Sequence, residues 1–204
     1  MTFRRLLLGG AAIAGLSAAA FAHSGATGVV KERMEAMKSM GEAIKRIKPM
    51  MSGESEYDAA AVKKAAETIA AEAGAAMTNK FPEGSTDAPS EVLPRAWEEW
   101  DRFTALSAQL EMAADGLALA SGNGLHGDGH MMGGQSGMMG ENMMGESMMG
   151  NASGMMGNGM MMGDGAFPDG MTAEHIGQMP ADGAFMMVTQ TCSACHDRYR
   201  KDED

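Results

Sequence analysis

The chain has 204 residues, a formal net charge of −11 and 21% charged residues, with 28 glycines, 25 methionines and two cysteines. This acidic balance, with no basic stripe, argues against a nucleic-acid partner, and no paired catalytic acids, nucleophile or nucleotide loop point to an enzyme. The length suits one domain, but the glycine and methionine content shows that not every residue belongs to a core.

Arg4-Arg5, the apolar run over 6–21 and the small-residue ending Ala20-Phe21-Ala22 have the three parts of a secretory signal peptide. Residues 1–22 are expected to be removed, leaving a mature chain that starts at His23. Losing the two arginines takes the charge from −11 to −13. No membrane-spanning run remains, so the expected product is a soluble periplasmic protein.

Over 26–48, apolar spacing predicts a first helix with a stripe at Val30, Met34, Met37, Gly41 and Ile44. A parallel series runs through Arg33, Met37, Met40, Ile44 and Ile47, Pro49 ends the helix, and Gly53 lies in the turn. Met34 reads as core filling. Asp58 is the expected N-cap of a second helix that carries Val62, Ala65, Ile69, Ala73 and Ala76 on one face towards Met77. Residues 80–89 form a loop, and Ser90 and Pro94 introduce a third helix running to about Ala120. Its stripe holds Trp97, Trp100, Thr104, Ser107, Leu110, Ala114 and Leu117, widened by Phe103 and Leu106. Residues 23–120 thus form one unit of three helices.

Residues 121–170 hold sixteen glycines, with thirteen methionines between Met131 and Met162 in irregular Met-Met-Gly units. They are expected to form a disordered insert of low complexity. A fourth helix within 171–204 starts between Thr172 and Asp182, is interrupted or capped near Pro180, and aligns Phe185, Val188, Cys192, Cys195 and Tyr199. His175, Glu174 and Gln178 have no evident partner and read as surface residues.

Cys192-Ser193-Ala194-Cys195-His196 uses both cysteines of the chain. On a helix, the i, i+3 spacing places both sulfurs on one face, where they can add to the two haem vinyl groups while His196 turns to the iron. One haem c per chain is the reading that follows. A redox dithiol or a disulfide is the alternative, although a thioredoxin-type pair would follow a strand and nothing upstream reads as one. Covalent haem is added after export of an unfolded chain, so the general secretory route fits better than the folded export that twin arginines suggest.

Four such helices, with a haem motif near the end of the last, resemble the class II c-type cytochromes, the cytochrome c′ family. The resemblance is carried by Arg33-x-x-x-Met37 with Met40-Gly41, by Phe81-Pro82-Glu83-Gly84, and by Leu93-Pro94-x-x-Trp97-Glu98-x-Trp100-x-x-Phe103. Ala184-Phe185-x-x-Val188-x-x-x-Cys192-x-x-Cys195-His196-Asp197-x-Tyr199-Arg200 completes it. It covers residues 28–120 and 181–201, and the insert departs from it. The resemblance implies an all-α, antiparallel left-handed four-helix bundle enclosing the haem, and a homodimer packed through the first two helices. It implies electron transfer or binding of nitric oxide or carbon monoxide, with the redox partner left open. His196 becomes the proximal iron ligand, Met37 a distal candidate with Met40 one turn further, Arg33 a propionate partner, and Arg200 the basic residue beside the histidine. A thioether bond from Met37 would close the iron, whereas packing alone leaves it open, and packing is the reading preferred here. Trp97, Trp100 and Phe103 are expected in or near the core, Trp97 nearest the haem.

The insert supports a second class of function. Thioethers are soft ligands that select Cu(I), and His126, His130, Met131, Met132, Met138, Met139, Met143 and Met144 are candidate copper ligands within an acidic field from Asp128, Glu141, Glu146 and Asp164. The segment looks like the Met-rich stretches of periplasmic copper- and silver-binding proteins. A linker whose methionines scavenge oxidants is the alternative.

Overall fold

A computed structural model of the chain describes residues 25–127 and 167–201. Among the described residues there are helices α1 (Gly28–Met51), α2 (Ala59–Glu72), α3 (Gly74–Thr78), α4 (Arg95–Glu98), α5 (Trp100–Ala120), α6 (Ala173–Gly177) and α7 (Ala181–Tyr199), with a 3₁₀ turn at Ser121–Asn123. They contain no strand, only an isolated antiparallel bridge between Val92 and Arg200. The proposed signal segment and most of the insert lie outside the described residues.

Helix α2 starts where its sequence requires: the Asp58 carboxylate accepts hydrogen bonds from the amides of Ala60 and Ala61 at 2.9 and 3.1 Å. The predicted second helix then breaks in two. Ala73 is extended and Gly74 takes a φ of +57°, where a side chain would be strained. Ser107 of α5 donates to the Gly74 carbonyl at 3.0 Å, holding the break in place. The third helix also breaks, at Glu99 (φ −119°, ψ 42°), so α4 is a short prelude to α5. The first helix instead runs past the expected stop: Pro49 sits inside the last turn of α1.

The long helices alternate in direction. Tyr57, just before α2, donates its hydroxyl to the Ser121 carbonyl beyond the end of α5 at 2.6 Å, whereas Gly74 meets α5 near its first third. The amide of Ala181, opening α7, donates to the Gly124 carbonyl, while Tyr199 at the other end of α7 reaches Glu99 at the start of α5. The buried surface joining them is rich in small side chains, among them Ala65, Ala66, Ala113, Ala114, Ala120 and Ala184. Small residues let helix backbones approach, and α5 thereby becomes the central helix, packed on α2, α6 and α7.

Three expectations of burial are corrected by this packing. Met34 is 39% exposed and Trp100 36% exposed, so neither fills the core, while Ala36 and Ala43 join Met40 and Ile47 on the buried face of α1. The segment read as an insert over 121–170 belongs to the fold at both ends. Ser121 and Phe167 are buried, and the Asn123 side chain donates to the carbonyls of Gly177 and Met179 at 2.9 and 2.7 Å.

Gly116 carries the closest packing between α5 and α6. A Cβ there would lie 2.5 Å from the fully buried Ile176 side chain and 3.1 Å from the Ala173 carbonyl oxygen. Gly116→Ala should destabilise the fold by about 1–3 kcal/mol, as overpacking of a rigid contact does. Gly122→Ala, with open space around it, should leave the urea midpoint near that of the parent, and equal midpoints for all three proteins would refute this account of the α5–α6 contact.

Candidate haem site

Cys192, Cys195 and His196 lie in the last turns of α7, and both cysteines are free. Helices α1 and α7 touch only lightly, and the space between them is a cleft with two lobes. The larger, about 370 Å³, is lined by Arg33, Met34, Phe81, Phe103, Tyr199 and Arg200 among others. The smaller, about 220 Å³, takes in Met40, Ile44, Leu106, Leu110, Thr191 and Cys192. Met37, Cys195 and His196 line both.

Electrostatics in the cleft follow from its apolar wall. Burial pushes the Cys192 thiol up to about 11 and the Cys195 thiol to about 12. That is opposite to the lowered thiol of a redox dithiol and weighs against that alternative. A thioether carries no charge, so the same surroundings impose no such penalty on a sulfur bonded to haem. His196 is held below the ordinary imidazole value, first by burial and then by the Arg200 guanidinium. Its neutral form, the one that can bind a metal, is thereby favoured. Arg200 is itself held by Glu91, its Nε donating to Oε2 at 2.9 Å, beside the bridge to Val92.

Arg33 is the unusual group. It is only 4% exposed, its guanidinium lies 4.4 Å above the Phe81 ring, and Nη2 donates to the Ser85 carbonyl at 2.9 Å and hydroxyl at 3.3 Å. Its Nε and Nη1 are buried without a partner. Burial lowers its pKa. A guanidinium left half unpaired beside an apolar cleft is a ready receptor for a carboxylate. Two thiols and an imidazole on one helix, an apolar wall and this unpaired cation together fit a haem with its propionates.

The end of α7 that carries the motif is pinned to the start of α5. Arg198 donates to the Glu99 carboxylate through both Nε and Nη2, the latter at 2.8 Å, and the Tyr199 hydroxyl donates to Glu99 Oε2 at 3.2 Å. Arg95 adds a contact at 3.4 Å. These partners, the Arg198 hydrogen bonds foremost, hold the Glu99 carboxyl below the usual range.

Arg33, Met37, Met40, Cys192, Cys195, His196 and Arg200 all line the cleft. Trp97 does not line either lobe, and its indole N–H donates to the Phe81 carbonyl at 3.0 Å. Phe81 and Tyr199 stand at the wall with Phe103. Each was visible in a motif, but spacing alone gave neither a role. Ser85 and Glu91 were missed because they sit in a loop and at its end, with no periodicity to mark them. His126 lies at the far end of α7, its Nδ1 3.4 Å from Asp182. His130, Met131, Met132, Met138, Met139, Met143 and Met144 lie outside the described residues.

Comparison with known proteins bears on the family and the fold. A sequence model of cytochrome c′ matches residues 28–142. The chain is 38% identical over 92 residues to cytochrome c-556 of Agrobacterium fabrum, covering 45% of this chain and 62% of that protein. It is 37% identical over 89 residues to cytochrome c′ of Rhodopseudomonas palustris, covering 43% and 60%. Among solved structures, the nitric oxide complex of a cytochrome c prime variant from Alcaligenes xylosoxidans superposes with a TM-score of 0.53 at 19% identity, over 86% of this chain and 94% of that one. The fold is a four-helix bundle with a cleft between α1 and α7, and the chain belongs to the cytochrome c′ family. Members of this family carry covalently bound haem c. The alignments span about three fifths of the length of the first two relatives.

Because Glu99 has a depressed pKa in the folded chain, its contribution to stability is present above the ordinary value of 4.5 and is lost as the pH falls through the folded value. Glu99→Gln should thus melt earlier than the parent at neutral pH, with the gap narrowing below pH 4.5. Thermal melts followed by circular dichroism across that range test this, and a gap that does not change with pH would rule out the carboxylate charge as its source.

Proposed function

We propose that this chain is a periplasmic c-type haem protein, not an enzyme, that exchanges electrons or binds a diatomic gas. Thioether bonds from Cys192 and Cys195 would hold the cofactor and the His196 imidazole would bind its iron. The observation that carries the reading is the convergence of these three groups and of Arg33, with two of its donors unpartnered, on one cleft. When bound, the haem supplies a one-electron couple and an iron able to take nitric oxide or carbon monoxide.

The chain's own residues set the conditions around it. Arg33 would meet a propionate, and Arg200, fixed by Glu91, keeps positive charge beside His196. Met37 presents a thioether from α1 across the cleft, and Met40 continues that wall into the smaller lobe. Met37 would pack there without a bond and leave the iron open to a small gas, and a variant of a cytochrome c prime with this fold takes nitric oxide. Phe81, Phe103 and Tyr199 keep the larger lobe apolar. Association into a homodimer through α1 and α2 follows from the family resemblance. Among the described residues no helix is long and apolar enough to cross a membrane.

A pyridine haemochrome assay should find one haem c per chain and none after Cys192→Ala with Cys195→Ala. Haem retained covalently by the double variant would sink the proposal. Carbon monoxide added to the reduced protein should change its spectrum at once, and an unaltered spectrum would mean that Met37 or another group closes the iron.

Copper or silver binding by the Met-rich segment is proposed as a separate activity, supported by its dense thioethers and by His126 and His130. Its flanks, Asn123 and Gly124 on one side and Gly177, Met179 and Ala181 on the other, are tied to each other by hydrogen bonds. Deleting 128–166 should consequently leave the haem spectrum unchanged while removing most of the Cu(I) capacity measured against a chromophoric chelator. Equal capacity in both proteins would exclude the segment as the binding site.

A further inference from the structure

The loop joining α3 to α4 does more than connect them. Ser85 lies in it with its hydroxyl fully committed: Oγ donates to the Pro82 carbonyl at 2.8 Å and accepts from Arg33 Nη2 at 3.3 Å. The Ser85 carbonyl takes the same Nη2 at 2.9 Å. Phe81, four residues earlier, supports the face of the guanidinium, and its own backbone is fixed by the Trp97 indole. Three contacts from one short segment therefore fix the plane and rotation of a side chain that is otherwise long and flexible. What they leave over is two donors, Nε and Nη1, buried and unpartnered on a residue that lines the larger lobe.

We infer that Ser85 is a positioning residue for the proposed haem: it holds Arg33 through Nη2 so that an unpartnered donor of the same guanidinium meets a haem propionate. This rests on the reading of the cleft as a haem site. Two consequences follow. Positive charge held near the cofactor favours the reduced iron, so a loosened Arg33 lowers the reduction potential. The hydrogen bonds that Arg33 makes to Ser85 also restrain the loop, since a buried side chain fixed in place holds the backbone it is bonded to.

The experiment uses the holoprotein with its haem content measured first by pyridine haemochrome. Absence of haem from the parent would fail the haem reading itself, independently of Ser85. With haem present, Ser85→Ala should lower the reduction potential and make amide hydrogen exchange over 82–89 about fivefold faster, the scale expected for loss of one hydrogen bond. Ser85→Thr, which keeps a hydroxyl, should restore both. In an Arg33→Leu background, Ser85→Ala should cause no further fall in potential, because Ser85 acts through Arg33. An equal fall in both backgrounds would show a general structural effect and overturn the inference, as would an unchanged potential in Ser85→Ala. If Arg33→Leu does not hold haem, Arg33→Lys takes its place: the effect of Ser85→Ala must then shrink, and an undiminished effect would overturn the inference.

Discussion

The structure depends on a contact that is largely not made. Helix α5 packs closely on α2, α6 and α7 through alanines and glycines, and α1 packs on α2, but α1 and α7 close only lightly on each other. A bundle of four apolar stripes would normally shut on that side too, since closing buries more apolar surface. Here the facing positions are Met37 and Met40 from α1 and Cys192, Cys195 and His196 from α7, and they border open volume instead of interdigitating. The short α6 and the break at Gly74 serve the same arrangement, because they let α5 sit deep among its neighbours while α1 stays back.

Arg33 shows why the cleft reads as a receptor and not as a packing fault. Burying a guanidinium costs several kcal/mol unless its donors are satisfied, and two of its donors are not. The chain spends three contacts, from Phe81 and Ser85, on holding that charge in place, which is unnecessary for a cation that could swing to solvent. A group kept buried, charged and half unpaired has a purpose only if a negative partner arrives. The raised thiols of Cys192 and Cys195 point the same way, because their apolar surroundings suit a neutral thioether better than a thiolate.

Much of this was legible in the sequence because the relevant signals are local. The Cys-x-x-Cys-His spacing, the Asp58 cap and the buried series through Arg33, Met40 and Ile47 each depend on neighbours within two turns. The two misread helix breaks have long-range partners. Nothing near Glu99 announces a helix break, and what holds its backbone out of line is a carboxylate tied to Arg198 and Tyr199, about a hundred residues later. That break rotates α4 against α5, so the spacing from Trp97 to Trp100 no longer describes one face. Trp97 turns to the Phe81 carbonyl and Trp100 to the surface. Periodicity could not separate a face that packs against protein from one that packs against a cofactor, which is why Met34 read as core.

The segment from Phe81 to Leu93 ties these points together. Its first part fixes Arg33 through Phe81 and Ser85, and its last part fixes the end of α7: Glu91 holds Arg200, the Lys201 amide donates to the Glu91 carbonyl at 2.8 Å, and the Leu93 amide to the Tyr199 carbonyl at 2.8 Å. One irregular stretch thus sets both arginines that line the larger lobe, Arg33 of α1 and Arg200 just after α7. Helices that scarcely touch cannot position each other's side chains, so a connection touching both must do so. In this bundle the loop between α3 and α4 supplies the alignment that packing between α1 and α7 would otherwise provide.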